Sequence, residues 1–213
     1  MKIHRQTPYG IDVRNNQSPR TSGVHLSGII RQLAISHSVL KDNAPEEELS
    51  FVIANTTPGA ACHSPHIMRI VGGFAWEDWC AKQVSAYAVK AGTTFIHQPG
   101  EYVLDGVIMS PDGLEMTTLE IILHEFKLTW TTSSKPIQDR IMWLWQCMGY
   151  LAGVSAAFGQ QCTKAVLHPY YVNGDYRDNR HPIYEPVMLE FSWDEIVKNW
   201  ELMLAWKDKA KPE

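Results

Sequence analysis

Residues 101–129 read EYVLDGVIMSPDGLEMTTLEIILHEFKLT, and this stretch decides the fold. Two runs have strand composition, EYVLDGVIM at 101–109 and LEIILHEFKLT at 119–129. Between them, SPDG at 110–113 carries turn chemistry, with Pro at the second position and Gly at the fourth. A hairpin is expected. Successive side chains on a strand alternate faces, so Glu125 and Lys127 share one face while His124 and Phe126 share the other. A register that sets Asp105 opposite Glu125 brings two carboxylates within ~5.5 Å at the backbone. They repel unless something positive lies between them, and a divalent cation with hard oxygen ligands, Mg²⁺ or Mn²⁺, meets that need. The bland alternatives are a turn role for Asp105 and a solvated cross-strand ion pair for Glu125 and Lys127. The apolar settings VLDGVI and IILHEFKL speak against both, because unpaired carboxylates there are costly.

Outward from the hairpin, helices are expected at 26–40 and 74–91, the second closed by Gly92. Ser134-Lys135-Pro136 opens a strongly apolar helix running to about Phe158. Strands follow at 163–172 and 186–191. Ser192 and Glu195 form a capping box for a last helix at 193–208. This order predicts a mixed α/β protein with helices on both faces of a central sheet. With 213 residues, one domain spanning 1–213 is expected, with a polar arm at 1–24.

Composition excludes several classes. Hydrophobic residues make up 45% and charged residues 20%, as in an ordinary globular chain. No uninterrupted apolar run reaches the ~18 residues that span a bilayer, and MKIHRQTPYGIDVRNN lacks a signal core. A cytoplasmic protein without membrane contact is expected. The net charge of −4 argues against coating nucleic acid by charge alone. The four cysteines Cys62, Cys80, Cys147 and Cys162 fit neither a zinc ribbon nor a disulfide framework and read as buried thiols.

Asp105-Gly106 followed by Glu125-Phe126-Lys127 resembles the PD-(D/E)XK nuclease superfamily. Two flanking pieces strengthen the likeness. Gly73-Phe74-Ala75-Trp76-Glu77 resembles the G-x-x-x-E helix of lambda-type phage exonucleases and RecB-type nuclease domains. Gln146-x-x-x-Tyr150 resembles the Q-x-x-x-Y helix of RecB-type domains, its two residues sharing a helix face. His25-Leu26-Ser27-Gly28 resembles the family's small-Ser-hydrophobic helix start. The resemblance implies a restriction-endonuclease-like αβββαβ core. It implies a Mg²⁺-dependent deoxyribonuclease, with Mn²⁺ as substitute. Glu77, Asp105 and Glu125 are the expected metal ligands, and Lys127, Gln146 and Tyr150 complete the catalytic set. DNA is the expected substrate, and a homo-oligomer is compatible with the tryptophan-rich helices. An exonuclease processing DNA ends is the first reading, with phage origin and a bacterial host cytoplasm as its setting. An endonuclease of the same fold, or an inactive nucleic-acid-binding module, are the alternatives. Arg20, Arg31, Arg177, Arg180 and His181 are candidate phosphate contacts. Cys62-His63-x-x-His66 fits no common zinc spacing, though His63 or His66 could stand where RecB-type domains place a metal-binding histidine.

Overall fold

The computed structural model describes residues 21–37, 65–131, 133–175 and 181–210, with side chains of the helix at 65–91 described from Gly72 onward. The elements run β1 (Val24–His25), α1 (Leu26–Ser36), α2 (Pro65–Ala91), β2 (Thr94–His97), β3 (Tyr102–Leu104), β4 (Val107–Met109), β5 (Gly113–Met116), β6 (Ile121–Thr129), a 3₁₀ turn (Ile137–Asp139), α3 (Ile141–Phe158), β7 (Lys164–Tyr171), β8 (Ile183–Tyr184), β9 (Val187–Glu190) and α4 (Trp193–Lys207).

The larger sheet is mixed, in the order β2-β5-β6-β7, with β8 and β9 both on the far edge of β7. The β6–β7 pair is parallel; every other pair in this sheet is antiparallel. Strands β8 and β9 continue one register along β7 and are broken at Glu185-Pro186, where proline has no N–H to give the ladder. A small second sheet, β1-β4-β3, stands beside it. Helices cover both faces. Leu26, Ile29 and Leu33 of α1, Leu151 of α3, and Ile196 and Met203 of α4 pack on Leu114, Leu123 and Leu167. On the opposite face Cys80, Ala81 and Val84 of α2 close over Phe126. Alternation along β6 produces this division, since Ile121 and Leu123 join the first cluster and Phe126 the second. The 18 residues of α3 are apolar enough, by length and composition, to cross a membrane, although the sequence shows no uninterrupted run. Here that character serves the core, with nine of them buried, and Gly149 lets α1 approach closely because a Cβ there would meet Leu26.

The expected hairpin differs in one decisive respect. The run 101–109 is two strands rather than one. Asp105 and Gly106 have φ of 50° and 73°, so they form the two-residue turn between β3 and β4. Positive φ at both positions is the type I′ geometry that Asp-Gly favours. SPDG is in turn no hairpin loop. Ser110-Pro111-Asp112 carries the chain from β4 in the small sheet to β5 in the large one, and the true hairpin joins β5 to β6. The last helix has its expected cap: Glu195 N–H donates to Ser192 Oγ at 3.3 Å, and Ser192 N–H donates to Glu195 Oε2 at 2.8 Å.

Candidate active site

Because β5 begins only at Gly113, paired with His124, the second half of β6 has no partner on that side. A cavity of about 350 Å³ opens there. Its walls include Glu77 and Gly73 from α2, Asp112 from the sheet crossover, Glu125 and Lys127 from β6, Gln146 and Tyr150 from α3, and His25 and Ser27 at the start of α1. Gly73 and Glu77 are four residues apart and so share one face of α2.

Lys127 is the hub. Its ammonium donates to Glu125 Oε1 at 2.5 Å and to Gln146 Oε1 at 2.8 Å. Gln146 Nε2 in turn donates to the Tyr150 hydroxyl at 2.8 Å. This chain fixes the ammonium and leaves one of its three donors for another group. Glu125 is 1% exposed, and its Oε2 has no hydrogen-bond partner within the protein. Asp112 accepts the Phe126 N–H through Oδ2 at 2.8 Å. Glu77 Oε1 accepts from Gln98 Nε2 at 2.9 Å and pairs with His97 Nε2 at 3.1 Å.

The electrostatics follow from crowding. Burial, then Glu125 and Glu77, push the Asp112 carboxyl well above its ordinary range, against the opposing pull of Lys127 and the Phe126 N–H. Burial also raises Glu125, and Lys127 only partly offsets it. Burial alone would lower the Lys127 ammonium, but Glu125 and Asp112 outweigh it and hold the group above its usual value. Three carboxylates thus face one ammonium in a half-closed space.

Of the sequence-predicted set, Glu77, Glu125, Lys127, Gln146 and Tyr150 all line this cavity. Asp105 does not. It sits in the β3–β4 turn, where its Oδ2 accepts from Trp200 Nε1 at 2.8 Å and its carbonyl from Lys207 Nζ at 2.6 Å. Asp112 lines the cavity beside Glu125, where Asp105 was expected, because the observed β5–β6 register differs from the expected one. Asp112 falls within Ser110-Pro111-Asp112-Gly113, the stretch whose composition reads as a turn. His97 and Gln98 were not anticipated. Arg31 and His181 are not among the cavity residues. Arg20, Cys62, His63, Arg177, Arg180 and the His66 side chain lie outside the described residues.

The donor set suits a hard divalent cation. Glu125 Oε2 is a buried, unpartnered carboxylate oxygen, which is costly unless a cation or donor arrives. Among the described residues no three His, Cys, Asp or Glu side chains are already drawn into a metal cluster. Mg²⁺ does not need that, since it typically takes one or two carboxylates and keeps several waters.

Across the sheet lies a second polar constellation. Thr93 Oγ1 donates to Glu115 Oε1 at 2.6 Å, Glu115 Oε2 pairs with His124 Nε2 at 3.2 Å, His124 Nδ1 with His168 Nε2 at 2.9 Å, and His168 Nδ1 with the Tyr184 hydroxyl at 2.9 Å. With both imidazoles neutral, one proton per bond satisfies the whole chain if Tyr184 donates and Glu115 accepts. Burial and His124 push His168 down to about 3.

No family model matches the sequence, and neither does any curated protein. Among solved structures, the chain is similar to an alkaline exonuclease from Laribacter hongkongensis, at 19% identity and TM-score 0.44 over 88% of this chain and 87% of that one. The same exonuclease in complex with dAMP aligns at 17% identity and TM-score 0.44, covering 88% and 87%. A phage-related exonuclease from Haemophilus somnus 129PT aligns at 12% identity and TM-score 0.47, covering 88% and 92%. The functional reading rests instead on the side chains of the cavity.

Proposed function

We propose that this protein is a divalent-cation-dependent deoxyribonuclease that hydrolyses phosphodiester bonds, acting as an exonuclease at DNA ends. The observation that carries the reading is the convergence of Asp112, Glu125 and Glu77 on one cavity with an ammonium, Lys127, held by Gln146. Asp112, Glu125 and Glu77 would hold Mg²⁺ or Mn²⁺. When bound, the cation polarises the scissile phosphate and lowers the pKa of a bound water. Lys127 points its remaining donor at the attacking water or a phosphate oxygen, adding positive charge where the transition state gains negative charge. Gln146 and Tyr150 keep that ammonium in place. The preference for ends rests on the likeness of Gly73 to Glu77 to the phage exonuclease helix.

The test is a time course on end-labelled linear DNA beside closed circular DNA, with Mg²⁺, with Mn²⁺ and with excess chelator. Loss of linear DNA alone, stopped by chelator, is the expected result. Cutting of the circle would make the protein an endonuclease. Cleavage in excess chelator would overturn the metal mechanism, and binding without cleavage under every condition would make it a nucleic-acid-binding module.

A further inference from the structure

We propose that His97 and Gln98 are positioning residues that hold Glu77 as a cation ligand at a fixed place relative to Asp112. The inference rests on the reading of Glu77 and Asp112 as ligands given above. Both contacts fall on Glu77 Oε1, with Gln98 Nε2 donating at 2.9 Å and His97 Nε2 at 3.1 Å, which leaves Oε2 for a ligand. Gln98 also reaches the other acid, because its backbone N–H donates to the Asp112 carbonyl at 2.8 Å. One residue therefore grips the Glu77 side chain with its amide and the Asp112 backbone with its N–H. His97 is set just before it by its pairing with Gly113, the residue after Asp112.

The backbone at Gln98 argues for a function of its side chain. Its φ is 47°, in the left-handed region that a side chain disfavours. It also precedes Pro99, and a residue before proline is pushed towards extended backbone. Glycine would relieve the first constraint and keep the N–H bond to Asp112. It would lose only the amide on Glu77. Strain of this kind persists where the surroundings over-determine it, often at functional sites. Groups that orient a metal ligand typically change metal affinity by ~10–100-fold when removed.

The experiment is calorimetric titration of Mn²⁺ into the metal-free full chain, without DNA, for wild type, Gln98→Gly, His97→Asn, Glu77→Gln and the Glu77→Gln/Gln98→Gly double variant. Gln98→Gly is expected to weaken Mn²⁺ binding about tenfold or more, with an unchanged or higher thermal midpoint. His97→Asn should weaken it in the same direction. In the Glu77→Gln background, Gln98→Gly should have no further effect, since the group it positions is gone. If Gln98→Gly binds Mn²⁺ as wild type does, or loses affinity equally without Glu77, the positioning role is wrong while the nuclease reading stands. If the wild type takes up no Mn²⁺, the nuclease reading and this inference fall together.

Discussion

Asp112 ties itself to Phe126 with its side chain, its Oδ2 accepting the Phe126 N–H at 2.8 Å at the point where the β5–β6 ladder ends. The carboxylate thereby fills a backbone vacancy and faces the cavity at once. Its two duties separate by substitution. Asp112→Asn keeps an oxygen for the Phe126 N–H but removes the charge. It should abolish turnover, by at least ~10³-fold in single-turnover assays, with the fold intact. Asp112→Ala should also cost about 1–3 kcal/mol in urea unfolding, because that N–H loses its partner.

Asp105→Ala should do the reverse. It should retain near-wild-type turnover, since Asp105 is outside the cavity, and lose about 1–2 kcal/mol through a strained left-handed alanine and the lost Trp200 contact. A turnover defect as deep as that of Asp112→Asn would reinstate Asp105 in the site.

How much of this was legible follows from these two aspartates. Alternation along β6, the cap at Ser192, and the four-residue spacings Gly73–Glu77 and Gln146–Tyr150 are local signals, and all lie where periodicity put them. Strand composition over 101–109 cannot distinguish one long strand from two short ones folded at Asp-Gly, because both draw on the same residue types. The choice between Asp105 and Asp112 is a choice of register, settled by pairing with a strand more than ten residues away. The clamp on Glu77 was illegible for a similar reason: Thr94–His97 is too short for a period, and its position comes from the ladder with β5. The Glu115–His124–His168–Tyr184 chain joins four strands, β5, β6, β7 and β8, and no spacing announces it.

Lys127→Met should lower the cleavage rate by ~10²–10³. It should also destabilise the metal-free protein by about 3 kcal/mol near neutral pH, since buried Glu125 then loses its cationic partner. Adding Glu125→Gln should restore most of the stability and none of the rate. A Lys127→Met protein as stable as wild type at neutral pH would show that the pair contributes nothing to the fold.

The metal-free protein should become less stable as pH rises from the ordinary carboxylate range, ~4, towards neutrality, as Asp112 and Glu125 are forced to ionise. Both have folded-state pKa values raised above the unfolded ones, so the folded form binds the extra protons and stability falls with pH across that interval. Urea midpoints for wild type and Asp112→Asn across the range isolate the Asp112 share, and the variant should fall less. Saturating Mg²⁺ should erase most of the difference.

His168 has the opposite sign. Its folded pKa is depressed to about 3, so the folded state keeps it neutral while the unfolded chain protonates it below ~6.5. Stability should therefore drop as pH falls from ~6.5 towards 3, by a few kcal/mol. His168→Gln can donate to His124 and accept from Tyr184 without titrating, so its acid unfolding should be blunted. Identical acid profiles for the two proteins would remove His168 as the cause.

Every cavity acid, the lysine and its glutamine lie between Glu77 and Tyr150, yet β6 takes its parallel neighbour from Lys164–Tyr171 and α4 packs beneath it from Trp193 onward. A ribosome that has emitted all six site residues has therefore not yet supplied the strand and helix that hold them in register. A product truncated after Tyr150 would carry all six of these side chains without the strand and helix that bring them together.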